Sequence, residues 1–226
     1  MKKILFIMMF LTVFLGFAQE TKKDTIINDL IVIKGDSVEI TLDEVIVLNK
    51  LKFNSSKEKR YYYWYLKKVQ KAYPYAKLAA ERLLQLNDQL AEIRSKSKRK
   101  KHIKKMQKYM EGEFTAELKK MTRTEGKILI KLIHRQTGLT TFELIKEYRS
   151  GWKAFWYNTT ASMFKLSLKE EYHPESEPID FLIEDILQRS FIDGSLEKQE
   201  ARLPIDYFSL SPKFKDINIV EVIDNR

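Results

Sequence analysis

Five basic side chains recur at helical spacing in the stretch TRTEGKILIKLIHRQTG, residues 122–138. At 100° per residue they fall within about a third of a helical turn, with Leu129, Leu132 and Ile133 opposite them. Such a row of cations is suited to binding an anionic group. The candidate anion-binding residues are Arg123, Lys127, Lys131, His134 and Arg135. The alternative is a solvated face, or one paired with acidic residues of neighbouring helices, because like charges on one face repel each other.

Catalytic patterns are sparse. The three histidines, His102, His134 and His173, show no metal-ligand spacing, and the chain contains no nucleophile elbow, P-loop or dinucleotide motif. Residues 169–180 (KEEYHPESEPID) gather acidic residues around His173, but two prolines favour an exposed loop. We therefore predict no catalytic residue, metal or cofactor. The alternative is a cell-envelope hydrolase whose carboxylates come from distant segments, such as Glu125, Glu170 and Asp180.

The elements that position these residues are predicted to be mostly α-helical. Apolar residues recur every three or four positions from residue 57 to about 94, with Pro74 expected to kink this long helix without ending it. Within it, YYYWY (residues 61–65) suggests core packing or a surface for stacking sugar rings. A second, antiparallel helix is expected to end near Met121. The basic run from Arg94 to Lys105 is interpreted as the solvated turn between the two helices, or as a patch for anionic lipid.

Two capping boxes predict a helical hairpin. Thr122 and Glu125 form the first box and Gly138 ends that helix, while Thr140 and Glu143 form a second box two residues later. Branched residues around 30–40, 44–48 and 217–223 predict short strands. We expect the two ends of the chain to meet in a small β-sheet, which makes residues 29–226 a single mostly helical domain.

The N-terminus predicts export. Two lysines, an apolar run from Ile4 to Leu15 and the small residues up to Ala18 match a signal peptide (residues 1–18), followed by a flexible segment (residues 19–28). The chain has no cysteine, so we expect neither lipoprotein acylation nor disulfides. Its net charge of +10 suits an acidic envelope partner (a lipid head group, a polysaccharide or a protein). We do not expect nucleic acid as a partner, because an exported protein rarely meets it.

Three segments together resemble one family. AYPYAKLAAERL, then EGKILIKLIHRQTG with FELIKEYRSGWKAF, and the YHP segment are similar to exported Bacteroidota proteins catalogued as a domain of unknown function, DUF4294. The resemblance covers residues 29–191 and implies an exported, envelope-associated protein. It implies no activity and no catalytic residues.

A second resemblance concerns LDEVIV, residues 42–47. It is similar to the short extended segments near the start of outer-membrane TonB-dependent receptors, which pair as an added strand with a partner. The residues concerned are Leu42, Asp43, Glu44, Val45, Ile46 and Val47. Taken together, the sequence favours a non-enzymatic periplasmic binding or scaffolding protein that uses a basic helical face.

Overall fold

The computed structural model describes residues 30–33, 36–39, 47–148 and 167–225. The chain divides into two compact units, residues 1–47 and residues 48–226. In the first unit, β1 (Leu30–Ile33) pairs antiparallel with β2 (Asp36–Glu39), with Leu30 opposite Glu39.

The second unit is built from helices, which confirms the prediction of a mostly α-helical protein. The described residues form α1 (Ser56–Glu92), α2 (Lys96–Lys119), α3 (Arg123–Thr137), α4 (Thr141–Tyr148), α5 (Pro178–Ile192), α6 (Tyr207–Leu210) and α7 (Ile219–Asp224). None of these helices is both long and apolar enough to cross a bilayer.

Helix α1 is the centre of the packing, because α2, α3, α5 and α7 all contact it. Ser55 caps its first turn by accepting a hydrogen bond from the Glu58 amide at 3.1 Å. Pro74 lies inside the helix without ending it, as expected. The buried stripe of α1 includes Tyr62, Val69, Ala72, Tyr73 and Ala76. Small residues in this stripe allow α3 to approach closely with Ile130, Leu132 and Ile133, all of which are fully buried.

The predicted sheet between the two chain ends is wrong. Residues 219–224 form helix α7, in which the Asn218 side chain caps the first turn by accepting from the Glu221 amide at 3.2 Å. Ile219 and Ile223, one turn apart, are both buried and pack with α1 and α5. The β-branched residues that suggested a strand therefore serve a short capped helix. Of the strand expected at residues 44–48, residues 44–46 lie outside the described part, and Val47 and Leu48 have no regular structure.

The basic run after α1 lies mostly in a helix, which corrects its interpretation as a turn. Only Ile93, Arg94 and Ser95 separate α1 from α2, and Ser95 caps α2. The half of α2 nearest this connection is largely exposed, whereas Met110, Phe114 and Leu118 in the other half are buried. Since α1 is the main packing partner of α2, the basic half of α2 lies at the tip of a helical hairpin.

Both predicted capping boxes are present. The Thr122 amide donates to Glu125 at 2.7 Å, and the Thr122 hydroxyl accepts from the Glu125 amide. The Thr140 amide donates to Glu143 at 2.8 Å, and the Thr140 hydroxyl accepts from the Glu143 amide. Gly138 ends α3 with φ of 71°, a left-handed conformation that glycine adopts without strain. Helix α3 therefore begins and ends, and α4 begins, where the local sequence requires.

Candidate functional site

Lys131 and Arg135, two of the five members of the predicted basic row on α3, pair with carboxylates. The Lys131 ammonium lies 2.8 Å from Asp180 and 4.0 Å from Glu170. Asp180 is fully buried at the start of α5, and the Lys131 side chain is only 15% exposed. An ammonium held in this way is already neutralised by the protein's own acidic groups.

Arg135 makes the most buried ion pair of the described residues. Its Nε and Nη2 each lie 2.8 Å from a different oxygen of Glu184, and the two side chains are 3% and 0% exposed. The Tyr172 hydroxyl donates to the same carboxylate at 2.8 Å. Burial opposes ionisation of Glu184, but the Arg135 guanidinium outweighs it and lowers the pKa of Glu184. This bidentate ion pair fixes α3 against α5.

His134 lies beside this pair and is also buried. Its Nδ1 accepts a hydrogen bond from the Tyr172 amide at 2.8 Å, so the proton of the neutral ring is on Nε2. Burial lowers the pKa of His134, although the Glu171 carboxylate acts in the opposite direction. His134 is therefore neutral near pH 7 and adds no positive charge to the row.

The other two members of the row are more accessible. Arg123 is exposed and Lys127 partly exposed, and neither takes part in an ion pair within the described ranges. The five residues consequently do not share one exposed face. For Lys131 and Arg135, the structure shows the alternative that the sequence left open, in which basic residues pair with acidic residues of a neighbouring helix.

The carboxylates considered for a hydrolase occupy two places. Glu170 and Asp180 meet around Lys131. Glu125 instead accepts from Lys68 at 2.9 Å, from Lys71 at 3.1 Å and from the Thr122 amide. Burial opposes ionisation, but these hydrogen bonds lower the pKa of Glu125 to about 2. Each of the three carboxylates therefore lies beside a lysine, and Glu125 has a structural role in the cap.

The acidic segment around His173 forms a small polar cluster. The His173 ring nitrogens lie 2.7 Å from Glu171 and 2.9 Å from Glu175, and the hydrogen bond to Glu171 is the main reason that the pKa of His173 is raised. Within the described ranges, no group of three or more suitable side chains is arranged to hold a metal ion.

Most of the segment considered for strand addition lies outside the residues that the structure describes. Leu42, Asp43, Glu44, Val45 and Ile46 fall outside the described residues, and Val47 is 81% exposed without regular structure. Strand addition stays a prediction.

Among the described residues, the exposed basic side chains concentrate on α2. Residues 94–108 contain nine lysines or arginines and no acidic residue. Five of them, which we call the outer basic face, lie within about a third of a turn on the side away from Ile103 and Met110. They are Lys98, Lys101, Lys104, Lys105 and Lys108, all of them exposed and none in an ion pair within the described part of the chain. These cations remain available to an external anion.

A cavity of about 340 Å³ lies between α1 and α2, next to this face. Helix α1 contributes Arg82, Gln85 and Gln89, and α2 contributes His102, Lys105 and Tyr109. The Arg82 guanidinium lies 5.3 Å from the Tyr109 ring and donates to the Gln85 amide oxygen at 2.8 Å. No carboxylate lines this cavity, so its lining is net positive.

A second cavity, of about 360 Å³, is lined by Arg60, Tyr61, Trp64 and Asp224. Trp64 is 40% exposed, whereas Tyr62 and Tyr65 are buried in the core. The aromatic cluster at residues 61–65 is thus divided between the core and the surface, as the change of direction along a helix requires.

The fold and these surfaces define a mostly helical domain with a basic helical hairpin. The chain belongs to the family described as Domain of unknown function (DUF4294), which matches residues 36–189, more than half of its 226 residues. No curated protein and no solved structure matches the chain.

Sequence reasoning allowed for acidic partners from neighbouring helices but did not identify Asp180 and Glu184 of α5 as those partners. Asp180 and Glu184 lie four residues apart, the same spacing as Lys131 and Arg135. Two acidic residues on one helix and two basic residues on another, separated by the same interval, are the sequence signal that could have revealed this pairing. Asp185 is a further buried acid, which accepts from Arg189 at 2.9 Å and also from Tyr207.

Proposed function

We propose that this protein is an exported, non-enzymatic binding protein that associates with an acidic component of the cell envelope through the outer basic face of α2. The observation that supports this most is the run of nine exposed basic positions without an acidic residue in residues 94–108. A helix that needed only solubility would mix both signs of charge.

The contrast between α2 and α3 supports the choice of surface. In α3, Lys131 and Arg135 interact with Asp180 and Glu184. In α2, the lysines of the outer basic face have no such partners in the described residues. Each basic residue near an anionic membrane surface contributes roughly 1 kcal/mol, so several together give useful affinity. An anionic lipid surface is therefore the first ligand to test.

Export is supported by the N-terminal residues. Met1 to Lys3, the apolar run and the small residues up to Ala18 form the pattern of a cleaved signal peptide. Mass spectrometry of the protein recovered from the cells that make it should give an N-terminus at or near Gln19. Recovery of intact Met1 from the cytoplasm would contradict export.

Reversing three charges of the outer basic face should weaken binding to anionic vesicles at least about tenfold, because each lysine contributes roughly 1 kcal/mol near the surface. The variant is Lys98→Glu with Lys101→Glu and Lys108→Glu, which avoids residues that line the cavity. Binding is measured by co-sedimentation with vesicles that contain phosphatidylglycerol. The wild-type interaction should weaken with added salt, since exposed charges are screened over about 8–10 Å at ordinary ionic strength.

The matched control is Lys52→Glu with Lys146→Glu and Lys215→Glu, which changes net charge equally at three scattered exposed positions. This variant should keep most of the vesicle binding, and both variants should melt close to wild type because the substitutions are on the surface. Equal loss in both variants would show a response to net charge alone and would contradict the proposal. Binding to an acidic polysaccharide but not to vesicles would replace the lipid surface as the ligand.

A further inference from the structure

The geometry points to a binding site for a phosphate group in the cavity between α1 and α2. This inference deepens the proposed function and rests on it, because it names the chemical group that the basic hairpin recognises. The site combines Arg82 and Gln89 of α1 with His102, Lys105 and Tyr109 of α2. It takes the phosphate of a soluble phosphorylated compound or of a lipid head group.

Arg82 is positioned as the principal ligand. Its guanidinium lies over the Tyr109 ring and donates to Gln85 at 2.8 Å and to the Tyr109 hydroxyl at 3.3 Å. These two bonds use two of the five N–H donors of an arginine. The Nε of Arg82 is buried and has no acceptor among the described residues. Arginine in this state is suited to a phosphate, whose oxygens accept from the planar fork in pairs.

The opposite wall of the cavity adds further donors. Lys105 lies on α2 with its ammonium in no ion pair of the described residues. His102 contacts the Gln89 amide oxygen through Nε2, which orients its ring at the edge of the cavity. Donors from both helices therefore surround one space, and no carboxylate in the lining competes with an anion.

The size and charge of the cavity favour a phosphate over a single carboxylate. About 340 Å³ is at the lower end of the range for small-molecule sites, which leaves room for a group attached to the phosphate. A phosphate monoester carries up to two negative charges and three accepting oxygens, which match one guanidinium, one ammonium and neighbouring neutral donors. The phosphodiester of a lipid head group has one charge on a pair of oxygens, which match the guanidinium fork. A carboxylate would leave several of these donors without an acceptor.

The test is calorimetric titration of the protein with glycerol phosphate and, separately, with inorganic phosphate. We expect saturable binding that Arg82→Gln weakens at least tenfold and Arg82→Lys weakens less, because lysine keeps the charge but loses the fork. Arg60→Gln, on the same helix but lining the other cavity, should bind as wild type. Thermal melts of all variants establish that they are folded.

A second arm distinguishes the two sources of phosphate. If Arg82→Gln also weakens binding to phosphatidylglycerol vesicles, the site binds lipid head groups. If vesicle binding is unchanged, the site binds a soluble phosphate compound. Either result supports the site. Absence of saturation, equal binding by folded Arg82→Gln, or equal binding of malonate would overturn it.

Failure of the phosphate site and failure of the outer basic face can be told apart by experiment. The variant Lys98→Glu with Lys101→Glu and Lys108→Glu keeps every residue that lines the cavity. It should lose vesicle association but still saturate with glycerol phosphate. Saturable phosphate binding without vesicle association in the wild type would sustain the site and reject the envelope surface. The reverse result would reject the site alone.

Discussion

Replacing Arg135 with methionine should destabilise the protein by roughly 3–5 kcal/mol, because Glu184 would stay buried without its charged partner. Both side chains are almost fully buried and are joined by two hydrogen bonds of 2.8 Å. Removing one member of such a pair costs more than the pair contributes, since the other charge cannot return to water. Urea unfolding at pH 7 measures the loss as a lower midpoint at unchanged slope.

The double variant Arg135→Met with Glu184→Leu should recover much of this stability, because no uncompensated charge is left. Arg123→Met serves as the matched control, since Arg123 lies on the same helix but is exposed. It should change stability by no more than about 0.5 kcal/mol. A loss of similar size in the Arg123 and Arg135 variants would mean that α3 does not bury Arg135.

Glu125→Gln should cost up to about 3 kcal/mol at pH 7, because a pKa lowered from 4.5 to about 2 corresponds to that free energy. The carboxylate is only 2% exposed and accepts from Lys68 and Lys71 while closing the capping box of α3. Loss of the charge weakens all of these contacts. Glu113→Gln, at an exposed position of α2, is the control and should have little effect.

The effect of Glu125→Gln should depend on pH with a defined sign. The folded protein holds the pKa of Glu125 at about 2, below its unfolded value, so the stabilisation is complete above about pH 4.5. It is lost as the pH falls toward 2, where the folded carboxylate takes up its proton. The difference in unfolding free energy between wild type and variant should therefore shrink over this interval. A difference that is constant from pH 7 to pH 3 would show that the charge of Glu125 contributes nothing.

Local signals predicted much of the helical fold. The capping boxes at Thr122 and Thr140 and the glycine at 138 act within one turn of the chain, so their side chains reveal where helices begin and end. Helix α1 was predicted within two residues of its observed ends because its apolar period persists over ten turns.

The wrong prediction of a strand at residues 217–223 has a local cause too. β-branched residues suggested a strand, but the Asn218 cap and the i, i+4 pair of Ile219 and Ile223 favour a helix once α1 and α5 provide a surface to pack against.

The sequence by itself determined which residues lie on the same side of α3 and that their charge is positive, because helical geometry is set by the backbone alone. Only the tertiary structure decided what that side faces. The partners of Lys131 and Arg135 are Asp180 and Glu184, each 49 positions further along the chain, and they meet only because α5 and α3 both pack against α1. Burial then changes the role of these charges, since a cation out of water must be paired within the protein. The basic residues of α2 are left exposed by the same packing, because the residues that α2 buries, Met110, Phe114 and Leu118, all lie in its other half.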